Sequence, residues 1–295
     1  MKDTEFYVGV ADGVKYYLVE RYEDTVEAKK AVLLVHGGSS GYVIYDIRIK
    51  DYSIMNYLAR KGFVVYAVDL RGFGKSTRTS GLDVRAETCA EDLRSIVDFI
   101  TKRLAIGKIG LAGGSFGSMV ASIYAAKYPT NLERLALMSV PYKMGSSALK
   151  ESFQPMLDLI NKGAGYAPTP SSRDSQKTAG QLHSSDLEVL SYFIELSTSH
   201  CPQIPLGIAL DFIKSEVEGL PHDHYIPLIT TPTLVITGAN DELCPVDKAQ
   251  QLYKDLLVQE KKIVLVPNAH HRTFLELEGH LPYMQGLQDW FMNRR

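Results

Sequence analysis

The chain has 295 residues, 45% apolar and 22% charged, enough for one large domain or a core with an inserted lobe. With 32 basic against 34 acidic residues the net charge is −2 and no long basic run occurs, so neither nucleic acid nor an anionic membrane surface is indicated as a partner. No segment offers the roughly 18 consecutive apolar residues of a membrane span. The polar start, Met1-Lys2-Asp3-Thr4-Glu5, lacks the apolar core of a signal peptide, and the expectation is a cytoplasmic protein. Cys89, Cys201 and Cys244 are too far apart for metal spacing and odd in number, which reads as buried free thiols.

A hairpin opens the chain. Glu5 to Val10 and Val14 to Arg21 flank Asp12-Gly13, a strong turn dipeptide. Ala31 to Val35 is a continuous apolar run, the pattern of a strand buried on both faces, and it leads into His36-Gly37-Gly38. Ser53 to Lys61 reads as helix, Phe63 to Val68 as strand, and Ala86 to Leu104 as a long amphipathic helix with Leu93, Ile96, Val97 and Ile100 on one face. Strand Lys108 to Ala112, helix Ser118 to Tyr128, closed by Pro129, and strand Arg134 to Val140 follow.

Regular alternation stops there. Ser152 to Asn161, Ser185 to Ser197 and Leu206 to Glu218 are helix candidates, and Lys162 to Gly180, rich in Gly, Pro and Ser, reads as a loop and a candidate lid. Strand Thr233 to Thr237, helix Val246 to Leu257, strand Lys262 to Val266 and helix Leu281 to Met292 restore the pattern. The expectation is an α/β fold with a mostly parallel eight-stranded sheet flanked by helices. Its core spans 1–141 and 227–295, and a helical cap is inserted at 142–226.

In open α/β sheets, sites gather at the carboxyl ends of the strands. Gly113-Gly114-Ser115-Phe116-Gly117 matches G-x-S-x-G between a strand and a helix, where a sharp turn exposes the serine hydroxyl and needs small neighbours. By itself the pentapeptide fits a glycine-rich turn without chemistry equally well. Asn240-Asp241 and His270-His271 also lie at strand ends, which gives a nucleophile, an acid and a base in the order Ser…Asp…His. Glu242, Asp247 and Asp255 read as surface carboxylates. Asp69 to Ser76 lacks the G-K-[ST] ending of a phosphate loop, and His222-Asp223-His224 reads as a turn or cap without further metal ligands.

With these landmarks, together with His36-Gly37-Gly38, Asp69-Leu70-Arg71-Gly72-Phe73-Gly74-Lys75-Ser76 and Pro267-Asn268-Ala269-His270-His271, nearly the whole chain resembles an α/β-hydrolase-fold enzyme with an inserted cap. The resemblance implies Ser115 as nucleophile, Asp241 as orienting acid and His271, rather than His270, as base. It places the oxyanion hole at the backbone N–H groups of Phe116 and Gly38, with Ser39 as the alternative to Gly38. His36 then holds its loop by a hydrogen bond. Ser39, Tyr42, Tyr142, Phe153, Tyr192 and His270 are the expected pocket residues.

A serine nucleophile fits acyl transfer and not the ester-forming aspartate of epoxide hydrolases and dehalogenases. The expected substrate is a small-molecule carboxylic ester or lactone, including bulky or macrocyclic ones. A thioester or a C–C bond is the alternative with the same triad, and a non-catalytic hydrolase-fold binder is the alternative of another class. The reading calls for no cofactor and no metal, and for a monomer or homodimer.

Overall fold

The computed structural model describes residues 1–24, 30–144, 146–171 and 186–294, of which 146–152 and 213–218 are described as backbone only. Strands β1 (Lys2–Gly9) and β2 (Lys15–Tyr22) form the expected antiparallel hairpin, from Lys2 opposite Tyr22 to Gly9 opposite Lys15. Asp12 and Gly13 both take positive φ, 58° and 73°, as a turn matched to the right-handed twist of the strands requires. Then come β3 (Lys30–Val35), α1 (Ile54–Arg60), β4 (Phe63–Val68) and α2 (Ala86–Leu104). They are followed by β5 (Ile109–Gly114), α3 (Phe116–Lys127) and β6 (Leu132–Met138).

The segment between the sixth strand and the return to the core holds α4 (Ser146–Asn161), β7 (Tyr166–Pro168), α5 (Leu187–His200), β8 (Gln203–Pro205) and α6 (Gly207–Glu218). The chain closes with β9 (Thr233–Gly238), α7 (Val246–Asp255), β10 (Lys261–Val266) and α8 (His280–Phe291). The eight-stranded sheet runs in the order β1-β2-β4-β3-β5-β6-β9-β10, and every pair from β4 to β10 is parallel. This is the α/β architecture expected from the alternation of apolar runs and amphipathic segments.

Both faces of the sheet are covered, which explains why the central strands are apolar throughout. On one face Leu33 and Val35 join Leu93, Ile96 and Val97 of α2 and Met119 and Ile123 of α3. On the other, Val32 and Leu34 join Leu58 of α1 and Met284 and Leu287 of α8. Each of these side chains is fully or almost fully buried, worth roughly 1.5–3 kcal/mol apiece by area removed from water. The three cysteines are buried and unpaired. Among the described residues no helix is long and apolar enough to cross a membrane.

The insertion departs from expectation in one respect. Tyr166–Pro168, expected as loop, pairs antiparallel with Gln203–Pro205, Tyr166 opposite Pro205. Three residues with a proline at each strand's end carry no readable period, so this ribbon exists only through its partner strand and the core beneath it. The Leu206 N–H donates to the Gly165 carbonyl at 2.9 Å, and the Gly207 N–H to the Gly81 carbonyl at 2.8 Å. The Tyr166 hydroxyl donates to the Thr79 carbonyl at 3.1 Å. The rest of the expected loop, 172–180, lies outside the described residues.

Candidate active site

Ser115 sits between β5 and α3 with φ 51° and ψ −117°, a region non-glycine residues avoid. The conformation is held from all sides. The Ser115 N–H donates to the Met138 carbonyl at 2.9 Å, and the Ser118 N–H donates to the Ser115 carbonyl at 2.8 Å. A Cβ on Gly113 would overlap the Gly117 carbonyl, and one on Gly117 would overlap the Val35 and His36 carbonyls. Both positions must therefore be glycine for the helix to start this close to the sheet. The glycine loop after β3 lies against the same residue, since a Cβ on Gly37 would come within 3.9 Å of Ser115 Oγ and one on Gly38 within 4.0 Å of Phe116 Cβ.

His36 anchors that loop. It is fully buried, its Nε2 accepts from the Leu70 N–H at 3.0 Å, and Nδ1 donates to the Gly37 carbonyl at 2.6 Å. Burial pushes its pKa down to about 4, so the ring is neutral in this tautomer.

Asp241 follows β9, and His271 lies in the loop after β10. Gly238 lets the two loops meet, because a Cβ there would overlap the Ala269 and His270 carbonyls. The Asn240 N–H donates to the Ala269 carbonyl at 2.8 Å. The Asp241 carboxylate then stands 3.0 Å (Oδ2) and 3.1 Å (Oδ1) from His271 Nδ1. It also accepts from the Leu243 and Cys244 N–H groups at 3.0 and 2.8 Å and from the Thr237 hydroxyl at 3.0 Å. Burial alone would raise this carboxyl, but the His271 ring and these donors outweigh it and hold the pKa below the usual range. The Ser139 hydroxyl donates to the His271 carbonyl at 3.0 Å, fixing the loop from β6.

His270 points away from this arrangement. Its N–H donates to both carboxylate oxygens of buried Glu276, at 2.8 and 3.0 Å, and Nδ1 lies 3.4 Å from the same group. Glu242 is exposed. His222 is buried in the insertion's return to the core rather than in a cluster of ligands. Among the described residues the one group of potential metal ligands is Asp241, Cys244 and His271, and the Asp241–His271 contact already engages two of these. The donor set of the site is that of proton transfer rather than of a dedicated metal cage.

Ser115 and His271 open into one cavity of about 240 Å³. The core contributes Gly37, Gly38, Ser39, Phe116, Tyr45 and Leu243 to its wall. The insertion contributes Phe153 and Met156 of α4, Ile204 and Pro205 of β8, and Ile208 and Phe212 of α6. Of the pocket residues expected from sequence, Ser39 and Phe153 are in the wall, whereas Tyr42, Tyr142, Tyr192 and His270 are not among the described lining residues. Each of the first two has other work. The Tyr142 hydroxyl donates to Asp255 at 2.6 Å, and Tyr42 packs edge-on to His200 of α5, ring centroids 5.0 Å apart. Tyr192 packs half-buried against the apolar cluster that includes Ile54, Leu58 and Met284. Lining residues that the sequence did not single out include Tyr45, Ile204, Pro205, Leu243 and Arg272, and they carry no motif. Arg272 was detectable only as a charge placed directly after the expected base.

A doubly flanked parallel sheet, a strained serine at a strand–helix elbow and an Asp–His pair brought alongside it from two later strand ends define an α/β hydrolase of the serine type. The family model described as serine aminopeptidase, S33, matches residues 26–278, and the chain belongs to this family. It is 26% identical over 259 residues to 2-hydroxy-6-oxononadienedioate/2-hydroxy-6-oxononatrienedioate hydrolase 1 of Pseudomonas putida, covering 85% of each chain. It is 29% identical over 255 residues to the human serine hydrolase BPHL, covering 86% of this chain and 77% of that one. Among solved structures, a thermophilic esterase from Thermogutta terrifontis superposes with a TM-score of 0.71 over 99% of both chains at 20% identity, a likeness of fold.

Proposed function

We propose that this hydrolase cleaves a carboxylic ester or lactone through an acyl-enzyme formed on Ser115. The observation that carries the reading is the strained Ser115 opening, with His271, into an apolar cavity whose far wall comes from the insertion acting as a cap. Ser115 Oγ attacks the scissile carbonyl carbon while His271 takes its proton. Asp241 fixes the ring through Nδ1 and stabilises the imidazolium. The Phe116 and Gly38 N–H groups receive the oxyanion, each worth about 3 kcal/mol in the transition state. Collapse expels the alkoxide, which leaves with the proton from His271. Water then attacks the acyl-enzyme with His271 again as base, releasing the acid and restoring Ser115.

The test combines labelling and turnover. A fluorophosphonate should label wild type at Ser115 and leave Ser115→Ala unlabelled, and the variant's kcat on the best ester should fall by about 10³-fold or more. Near-wild-type ester cleavage by Ser115→Ala would refute the mechanism. Likeness to the Pseudomonas putida hydrolase over most of both chains supports a second reading, C–C bond cleavage with the same three residues. A panel of p-nitrophenyl esters, lactones, acyl-thioesters and vinylogous diketones, ranked by kcat/KM, separates the two and tests thioester cleavage as well.

A further inference from the structure

Beside Gly38 and Phe116 the cavity wall comes from the insertion. A carbon placed on the Gly38 Cα would stand 3.5 Å from Ile208 Cδ1, 3.6 Å from Ile208 Cγ2 and 4.0 Å from Phe116 Cβ. These are ordinary van der Waals distances, so the space between the glycine loop and α6 is a single carbon thick. Ile208 is buried and lines the same cavity as Ser115. Being β-branched, it is stiff at χ1 on a helix. The helix beneath it cannot yield either. Its first residue rests on a core loop: the Gly207 N–H is bonded to the Gly81 carbonyl, and a Cβ on Gly207 would stand 2.7 Å from the Leu82 carbonyl oxygen and 2.8 Å from that of Gly81. Asp211, a turn further on, is bonded to the Ala86 N–H at the start of α2. Ile208 lies between these two attachments. Phe212 continues the same face of α6 and stacks on Phe153 of α4, ring centroids 4.7 Å apart.

We infer that Ile208 determines specificity by leaving room only for an unbranched carbon next to the scissile carbonyl. This rests on the ester reading above, with Gly38 and Phe116 as oxyanion donors, and narrows its substrate class to acyl groups that begin with a CH₂. Tertiary-alkyl and aryl acyl groups are excluded. The carbon next to the carbonyl is two bonds from the oxyanion, so an oxyanion held by the Gly38 N–H brings that carbon beside the gap under Ile208. The leaving oxygen is equally close to the oxyanion, but it must face His271 to receive its proton. The acyl side is therefore the one that meets Ile208. Each methyl group added there must displace a stiff side chain on an anchored helix, and overpacking of this kind is costly. The penalty falls on transition-state binding and so on kcat/KM.

The test measures kcat/KM for p-nitrophenyl butanoate, 2-methylpropanoate and 2,2-dimethylpropanoate with wild type, Ile208→Val and Ile208→Ala. Ratios taken within one preparation cancel the amount of folded enzyme, so a destabilised variant still answers. The dimethylpropanoate-to-butanoate ratio should rise by about 10-fold or more in Ile208→Ala and by less in Ile208→Val, which removes only a methyl group. A second pair, propyl and tert-butyl butanoate, keeps the acyl group and branches the alcohol, and its ratio should stay within about twofold of wild type. Acyl-series ratios that do not move in Ile208→Ala, or a gain confined to the branched alcohol, would overturn the inference while the ester reading stood. Labelling of Ser115 by p-nitrophenyl phosphonates with propyl or tert-butyl on phosphorus gives a readout without turnover. Relative to the propyl reagent, the tert-butyl reagent should label Ile208→Ala faster than wild type. That order in a chain that cleaves none of the esters would sink the ester reading alone, and its absence would sink the role of Ile208.

Discussion

At Ser115 the backbone is part of the chemistry. A serine held at φ 51° stores strain that the surrounding contacts must overcome, and the closest of these involve glycines at 113 and 117. Gly117→Ala drives a methyl group into the Val35 and His36 carbonyls, which are main-chain groups at the end of β3 and directly after it and cannot swing aside as a side chain would. The expected loss is about 3 kcal/mol of stability, read from urea unfolding, together with lowered activity. Gly107→Ala is the control: nothing lies within 4 Å of its added carbon, and it should stay within about 0.5 kcal/mol of wild type. Comparable losses at the two positions would remove the packing argument. At the other end of the site, Asp241→Asn can present its amide to Nδ1 and hold the wrong tautomer. kcat should fall by about 10⁴-fold with a folded protein, and a variant keeping a tenth of wild-type kcat would show that Asp241 is not the orienting group.

At the scale of elements, the insertion is bound to the core by specific polar ties, and one of them completes a core helix. Arg85 precedes α2 and supplies no side-chain cap. Asp211 of α6 does so from across the interface, accepting from the Ala86 N–H at 2.7 Å and from Arg85 Nε at 2.5 Å while almost wholly buried. A second tie joins His200 of α5 to fully buried Asp69 after β4 at 2.8 Å, and Asp69 also accepts from the Tyr42 and Lys75 N–H groups at 2.7 and 2.9 Å. Asp211→Ala removes a cap and leaves Arg85 without this partner, so the expected cost is about 2–3 kcal/mol. Asp211→Asn keeps an acceptor for Ala86 and should cost less. Urea midpoints decide it, and an alanine variant as stable as wild type would show that the insertion is not tied here. These ties were not legible in the sequence. The central strands were, because burial on both faces forces unbroken apolar runs such as Ala31 to Val35. The serine elbow and the Asp and His loops were too, because their backbone geometry admits few residue types. The pocket wall was not: β8 and α6 reach Ser115 only through tertiary folding, and Tyr42, Tyr142 and Tyr192 have amphipathic side chains whose choice of neighbour no local pattern reveals.

For the molecule as a whole, two histidines buried without charge set the response to acid. His36 holds the glycine loop, with its pKa pushed down to about 4 by burial. His222, where the chain returns from the insertion to the core, is pushed down to about 3 by the same cause. It packs edge-on to Tyr142 with ring centroids 6.2 Å apart, and its Nε2 lies 4.0 Å from Asp223 Oδ1, beyond hydrogen-bond reach. Neither ring nitrogen has a hydrogen-bond partner of good geometry among the described residues. Both folded pKa values lie below the unfolded value near 6.5, so above that pH neither group affects stability. As the pH falls below it, the unfolded chain takes up protons that the folded chain refuses, and stability is lost down to about 4 for His36 and about 3 for His222. Each contributes a slope of about 1.4 kcal/mol per pH unit, or about 2 kcal/mol by pH 5, a large share of a stability that is ordinarily 5–15 kcal/mol. Replacing His222 by Leu removes one of the two proton sites and an unsatisfied polar ring while keeping an apolar side chain of similar size against Tyr142. The variant should match or exceed wild type at pH 7.5 and lose roughly half as much stability between pH 6.5 and 5, measured as urea unfolding free energies across the series. An unchanged pH slope in His222→Leu would show that His222 does not carry the acid sensitivity between pH 6.5 and 5; the buried carboxylates of Asp69 and Asp241, both held below the usual carboxyl range, lose their contribution only at lower pH.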